Sequence, residues 1–217
     1  MKKKNRLIII STAILFLISV VFNIVNFLSY KYHVEVHKRY EQRLNSYISN
    51  MLSVLSGIED TLSVIIDKES ITYKECLFLE DNFSVLYQNF NSLKEELKDV
   101  YIDKFELDLY KTNEFRLGEP RHDLLIPANQ LFSATLKEFS SPDEQINLAS
   151  LKLLTNTKLE HLNNIVDSIN LIIENNMQRR SKTIDLEDRI QIRLKQVYEI
   201  NIFLKSNESF INSLLEE

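Results

Sequence analysis

Residues suited to binding a metal or moving a proton gather at two places in this chain. His33 and His37 stand four apart with Glu41 a further turn on, a spacing that puts two imidazoles and a carboxylate on one helical face. The second group is Glu119, His122 and Asp123, in which Glu-x-x-His has the spacing used by di-iron helix bundles. Those bundles need two such motifs on facing helices and further glutamates. Here there is one copy, and Pro120 inside it argues against a helix. If that loop returned to His33 and His37, three of the four histidines would meet, but two ligands and an unplaced third fall short of a site. No metal or other cofactor is expected, and His33, His37 and His122 remain the residues to check.

The other reactive side chains read as structural. Cys76 is the single cysteine, so an intramolecular disulfide is excluded, and it falls on an apolar stripe with no histidine nearby to activate it. His161 is isolated. Arg179, Arg180 and Lys182 form a basic cluster, which Asp67 and Glu69 would offset if the two turns adjoin. No paired carboxylates, nucleophile and base, or phosphate-cradling loop stand out, so an enzyme is not expected. The first thirty residues hold four basic residues and no acid, which leaves 22 basic against 31 acidic in the rest. That balance excludes a nucleic-acid footprint, because displacing phosphate counterions needs a basic surface.

What positions these residues begins with an uncharged apolar run from Leu7 to Leu28, preceded by MKKKNR. At ~1.5 Å per residue it reaches ~33 Å, enough to cross a hydrocarbon core of ~30 Å and longer than the apolar part of a signal peptide. A retained transmembrane signal anchor is expected over residues 1–30, with residues 31–217 as one domain. Phe27, Tyr30 and Tyr32 fit an aromatic belt. Asn23 and Asn26 have the chemistry to bond across to another helix in lipid, although asparagine near an interface is tolerated without a partner, which is the reading favoured by the sequence alone. The basic tail favours a cytoplasmic N-terminus. Location is therefore expected at the cell membrane, single-pass, with the C-terminal domain extracytoplasmic.

With 2 Gly and 3 Pro in 217 residues, the chain lacks the punctuation of a strand-rich fold, and an all-α domain follows. Leu44, Ile48, Met51, Leu55, Ile58, Leu62 and Ile65 alternate by four and three, the seam of a coiled-coil-like helix. Gly57 within it reads as a mild weakness. DKES is a turn, Thr72 and Glu75 have capping-box spacing, and a second seam runs through Cys76, Leu79, Phe83, Leu86, Phe90, Leu93, Leu97 and Val100. A loop at residues 116–127 and a short helix from Ala128 to Phe139 follow. Ser141, Pro142, Asp143 and Glu144 then read as the N-cap, first-turn proline and acids of a third long helix. Its stripe is Leu148, Leu151, Leu162, Ile165, Ile169 and Ile172, weakened by Thr155 and Lys158. A turn at MQRRSKT leads to a last helix with Leu186, Ile190, Leu194, Val197, Leu204, Ile211 and Leu215 on its seam.

Four long helices joined by short links give an up-down-up-down four-helix bundle. In helix length alone this resembles the four-helix sensor modules of bacterial chemoreceptors, but no motif carries the comparison. Asn201 and Glu208 occupy interior positions of the last seam, so either another helix satisfies them or that face is loosely covered. Asn201, Phe203, Glu208, Phe210 and Leu214 are therefore the expected interaction residues. The partner would be another membrane or envelope protein, or a second copy. The functional expectation is a scaffold or accessory subunit of an envelope complex acting by protein–protein interaction. The alternative is an extracytoplasmic ligand-binding or sensing module that signals through a separate membrane protein, with its cavity near Thr155 and Lys158.

Overall fold

The computed structural model describes residues 2–101, 125–178 and 186–216, with side chains from residue 15 onward except 33, 37, 97–101, 176–178, 186–191 and 194. Among the described residues the chain is mostly helical. α1 runs Lys2–Lys68, α2 Tyr73–Tyr101, α3 Ile126–Leu136, α4 Asn156–Gln178, α5 Leu186–Ser206 and α6 Glu208–Asn212, with 3-10 turns at Leu148–Ser150 and Ser213–Leu215. The chain divides into two units, Met1–Gln42 and Arg43–Glu217.

In the first unit every described apolar side chain from Leu15 to Leu28 is exposed, most of them by more than half. This helix is long and apolar enough to cross a membrane by length and composition. In water such a surface is unfavourable by ~25 cal/mol per Å² relative to burial.

The second unit is built on the two seams. Leu44, Ile48, Met51, Leu55, Ile58, Leu62 and Ile65 are all at most 2% exposed, and so are Cys76, Leu79, Phe83, Leu86, Phe90 and Leu93. Leu97 and Val100 lie outside the described side chains. Gly57 is the point where α1 meets the ring tip of Phe78, since an added Cβ would stand 3.2 Å from Phe78 Cζ. Phe78 is itself partly exposed and free to yield, so the glycine acts mainly as the helix weakness its propensity implies, ~1 kcal/mol relative to Ala.

The link between α1 and α2 contains more than the expected turn. Glu69 takes a left-handed conformation (φ 50°), and Ser70–Thr72 forms a short strand, β1. β1 pairs antiparallel with β2, Gln145–Asn147, in the register Ser70↔Asn147, Ile71↔Ile146, Thr72↔Gln145. The capping box forms as read. Thr72 Oγ1 accepts from the Glu75 N–H at 3.3 Å, and Glu75 Oε2 accepts from the Thr72 N–H at 2.9 Å. Burial pushes the Glu75 carboxyl up, but donation from Lys68 and from Thr72 outweighs it and holds the group below the usual carboxylate range.

The third long helix is corrected. Ser141–Glu144 closes a turn and starts no helix. The Glu144 carboxylate folds back to accept from the backbone N–H groups of Ser140 and Ser141, and its own N–H bonds to Ser141 O at 3.2 Å. Residues that cap a helix also favour such turns, because their side chains bond the nearby backbone either way. Here the turn delivers the chain to β2. Leu148, Leu151 and Leu154 are then buried from a 3-10 turn and irregular chain, so their spacing of three is satisfied without an α-helix. α4 begins only at Asn156, with Thr155 Oγ1 accepting from the Lys158 N–H at 3.3 Å. The short helix expected from Ala128 to Phe139 is α3, two residues earlier, with Pro127 in its first turn.

Candidate functional site

The expected interaction residues all fall near the end of the chain, where the structure changes the frame of the last helix. α5 stops at Ser206. Asn207 Nδ2 and Ser206 Oγ both donate to Phe203 O, at 2.9 and 2.7 Å, and α6 restarts with the Ile211 N–H on Asn207 O at 3.0 Å. Side-chain bonds to the preceding turn compete with the helix ladder and break it. The buried positions are Val197, Ile200 and Leu204 before the break, and Ile211 and Leu214 after it. Ile200 replaces Asn201 on the inside, because 3.6 residues per turn drifts from a strict seven-residue repeat.

The burial expected of three of these residues changes within the chain itself. Asn201 and Glu208 are half-buried at the margin rather than interior, and neither is without a partner. Leu214 is fully buried while Leu215 is exposed, the reverse of the expected order, so Leu214 belongs to the core. Phe203 and Phe210 are half-buried and packed against that core. His161, expected to be isolated, stacks on Phe210 with ring centroids 3.7 Å apart and planes 14° from parallel. What remains at the surface is a margin of Asn201, Phe203, Glu208 and Phe210.

Around Thr155 and Lys158, where a ligand cavity was anticipated, the structure shows what the lysine bonds to. Lys158 Nζ donates to Leu214 O at 3.0 Å and to Glu216 O at 2.6 Å. A cation on carbonyls at the end of a helical segment is favourable, and here it fastens the C-terminal segment to the start of α4.

A buried polar cluster was missed altogether by reading the seam. Arg193 and Gln196 are 5% and 0% exposed. Arg193 Nη1 donates to Gln196 Oε1 and Nη2 to Asn45 Oδ1, each at 2.8 Å, and Gln196 Nε2 donates to Ile173 O at 2.8 Å. The cluster ties α5 to α1 and α4. Its signal was Ile200, an apolar residue one position off the frame, which rotates Arg193 and Gln196 inward. Along α4 the side-chain oxygens of Asn156, Asn163 and Asn170, seven residues apart, are buried and have no hydrogen-bond partner among the described residues.

Cys76 is in the core, as its position on the stripe implies. Burial, helped by the carboxylates of Glu80 and Glu138, pushes its thiol up to about 12, and Sγ donates to Phe132 O at 3.3 Å. A neutral buried thiol is a poor nucleophile. An alkylating reagent at pH 8 should leave the native chain unmodified and label it fully in denaturant; rapid native labelling would contradict this burial. The same shift has a pH consequence. The folded state keeps a proton that the unfolded thiol, near its ordinary 9.0, gives up, so this contribution is complete below pH 9 and lost as pH rises toward 12.

Among the described residues no group of three or more His, Cys, Asp or Glu is arranged to hold a metal. The side chains of His33 and His37, and the whole of Glu119, His122 and Asp123, lie outside the described residues, as do Arg179, Arg180 and Lys182. No protein family matches this chain, and neither does any curated protein or solved structure.

Proposed function

We propose that this is a single-pass membrane-anchored protein whose Arg43–Glu217 unit works by protein–protein interaction, as a scaffold or accessory subunit of an envelope complex. The observation that carries the reading is the run of exposed apolar side chains from Leu15 to Leu28 on a helix long and apolar enough to cross a membrane. Lipid is the solvent that makes such a surface favourable. The basic tail supports an N-terminus on the cytoplasmic side and an extracytoplasmic unit. Within that unit α1, α2, α4 and α5 form an up-down-up-down bundle in this proposal, supported by their shared core and by the Arg193 and Gln196 bonds.

Interaction rather than catalysis is favoured because, among the described residues, Cys76 lies in the core and His161 stacks on Phe210. The docking margin is Asn201, Phe203, Glu208 and Phe210, where an incomplete apolar cover is edged by an amide and a carboxylate. Glu208→Leu should leave thermal unfolding of the full chain in detergent within about 1 kcal/mol of wild type, while reducing its cross-linking to neighbours in native membranes. A variant that unfolds yet cross-links as before would remove this margin from the account. Since Cys76 is silent when folded, Glu217→Cys provides a single reactive thiol, and an impermeant reagent should reach it in intact cells. Labelling only after lysis would reverse the orientation.

A further inference from the structure

We infer that the apolar segment of α1 pairs with the same segment of a second copy through Ser19, Asn23 and Asn26, giving a parallel two-fold dimer within the membrane. This rests on the membrane-anchored reading above. Spaced four and three apart, the three residues fall within one narrow arc of the helix. An adjoining face, centred roughly 120° round the helix, carries an apolar groove lined by Leu17, Ile18, Val21, Phe22 and Val25. The helix thus has a polar stripe and an acyl-chain face.

Taking residues 7–28 as the span, Asn23 lies ~8 Å and Asn26 ~13 Å along the axis from its midpoint, inside a half-core of ~15 Å. Asn23 is partly satisfied within its own helix, since Nδ2 donates to Ser19 O at 2.9 Å. That leaves its Oδ1 and one amide hydrogen without a hydrogen-bond partner among the described residues. Asn26 is exposed and makes no side-chain hydrogen bond among the described residues. Acyl chains offer neither donor nor acceptor, so these groups are satisfied only by protein or by defects in the bilayer.

The choice of a second copy follows from the chemistry of the stripe. A side-chain amide is donor and acceptor at once, and is therefore its own complement. Copies inserted in the same direction are related by a two-fold axis along the bilayer normal, which brings Asn23 opposite Asn23 and Asn26 opposite Asn26. Serine at position 19 keeps that side small, so the backbones approach closely enough for the amides to meet. The stripe bears no charge, so a second copy satisfies it without bringing an ionised lysine or carboxylate into the hydrocarbon.

The test uses the full chain in phosphatidylcholine vesicles, labelled with donor or acceptor dye at Glu217→Cys, with energy transfer followed as lipid is added. Flotation of each preparation first establishes insertion. Wild type should associate, and Asn23→Leu with Asn26→Leu should weaken association by about tenfold or more, a loss of ~1.4 kcal/mol. Asn23→Gln with Asn26→Gln, which keeps the amides, should retain it, and Val21→Leu with Val25→Leu on the groove side should have no effect. Chains that float but associate equally with or without the two amides would overturn the dimer alone. Chains that do not float would overturn the membrane reading and the dimer with it.

Discussion

Phe83→Ala should destabilise the folded chain by about 3 to 5 kcal/mol, the largest loss expected of any single substitution here. Phe83 is 1% exposed and lies 5.7 Å, centroid to centroid, from Phe132, with the rings 12° from parallel. The contact joins α2 to α3, and the polar bonds around it act on the same pair. Asn129 Nδ2 donates to Glu80 O at 2.7 Å, and the Cys76 thiol donates to Phe132 O. Truncation would remove the ring's transfer free energy, leave a cavity, and take away the face against which Phe132 packs. Urea unfolding of the full chain in detergent gives the number. Phe83→Leu, which keeps much of the volume, should cost less than half as much, and a loss below ~1 kcal/mol for Phe83→Ala would contradict this packing.

The second large effect belongs to Gln196. Gln196→Leu should cost about 2 to 3 kcal/mol even though leucine is the more apolar residue, because Arg193 is left one acceptor short in a buried site. Asn45 still accepts from Nη2, so the loss is that of one partner in a network. Adding Arg193→Met to Gln196→Leu should then cost less than the sum of the two single changes, since the double variant removes the charge that needed the acceptor. Strict additivity, or a neutral Gln196→Leu, would mean that the cluster contributes little.

The parts of this fold visible in the sequence are those in which one helix face is buried along its whole length. The seams of α1 and α2 were legible because Leu44 to Ile65 and Cys76 to Leu93 have no competing pattern, and the Thr72–Glu75 box marks the start of α2 by local bonds alone. Ser141–Glu144 failed for the converse reason. Its local signal suits a turn as well as a helix, and the choice is made by β1, more than seventy residues earlier in the chain, which needs β2 as its partner. Two strands of three residues each are too short for a period-two pattern to show.

At the candidate site the margin of Asn201, Phe203, Glu208 and Phe210 was legible as an anomaly, polar residues where the repeat demanded apolar ones. The anomaly reflected a frame one residue out. The break at Asn207 comes from the side-chain bonds of Ser206 and Asn207 to the preceding turn, the drift from Asn201 to Ile200 from the 3.6-residue turn, and the use of Lys158 to hold Leu214 and Glu216 from a contact between distant segments. A repeat counted along the sequence has no means of registering any of the three.

The claim on which the rest depends is that the exposed apolar helix resides in a bilayer. Membranes from cells producing the full chain, washed at alkaline pH and floated through a density gradient, test it most directly. The account predicts that the chain stays with the lipid through both steps. Release into the alkaline supernatant would contradict it, and would require the Leu15–Leu28 surface to be covered by protein instead.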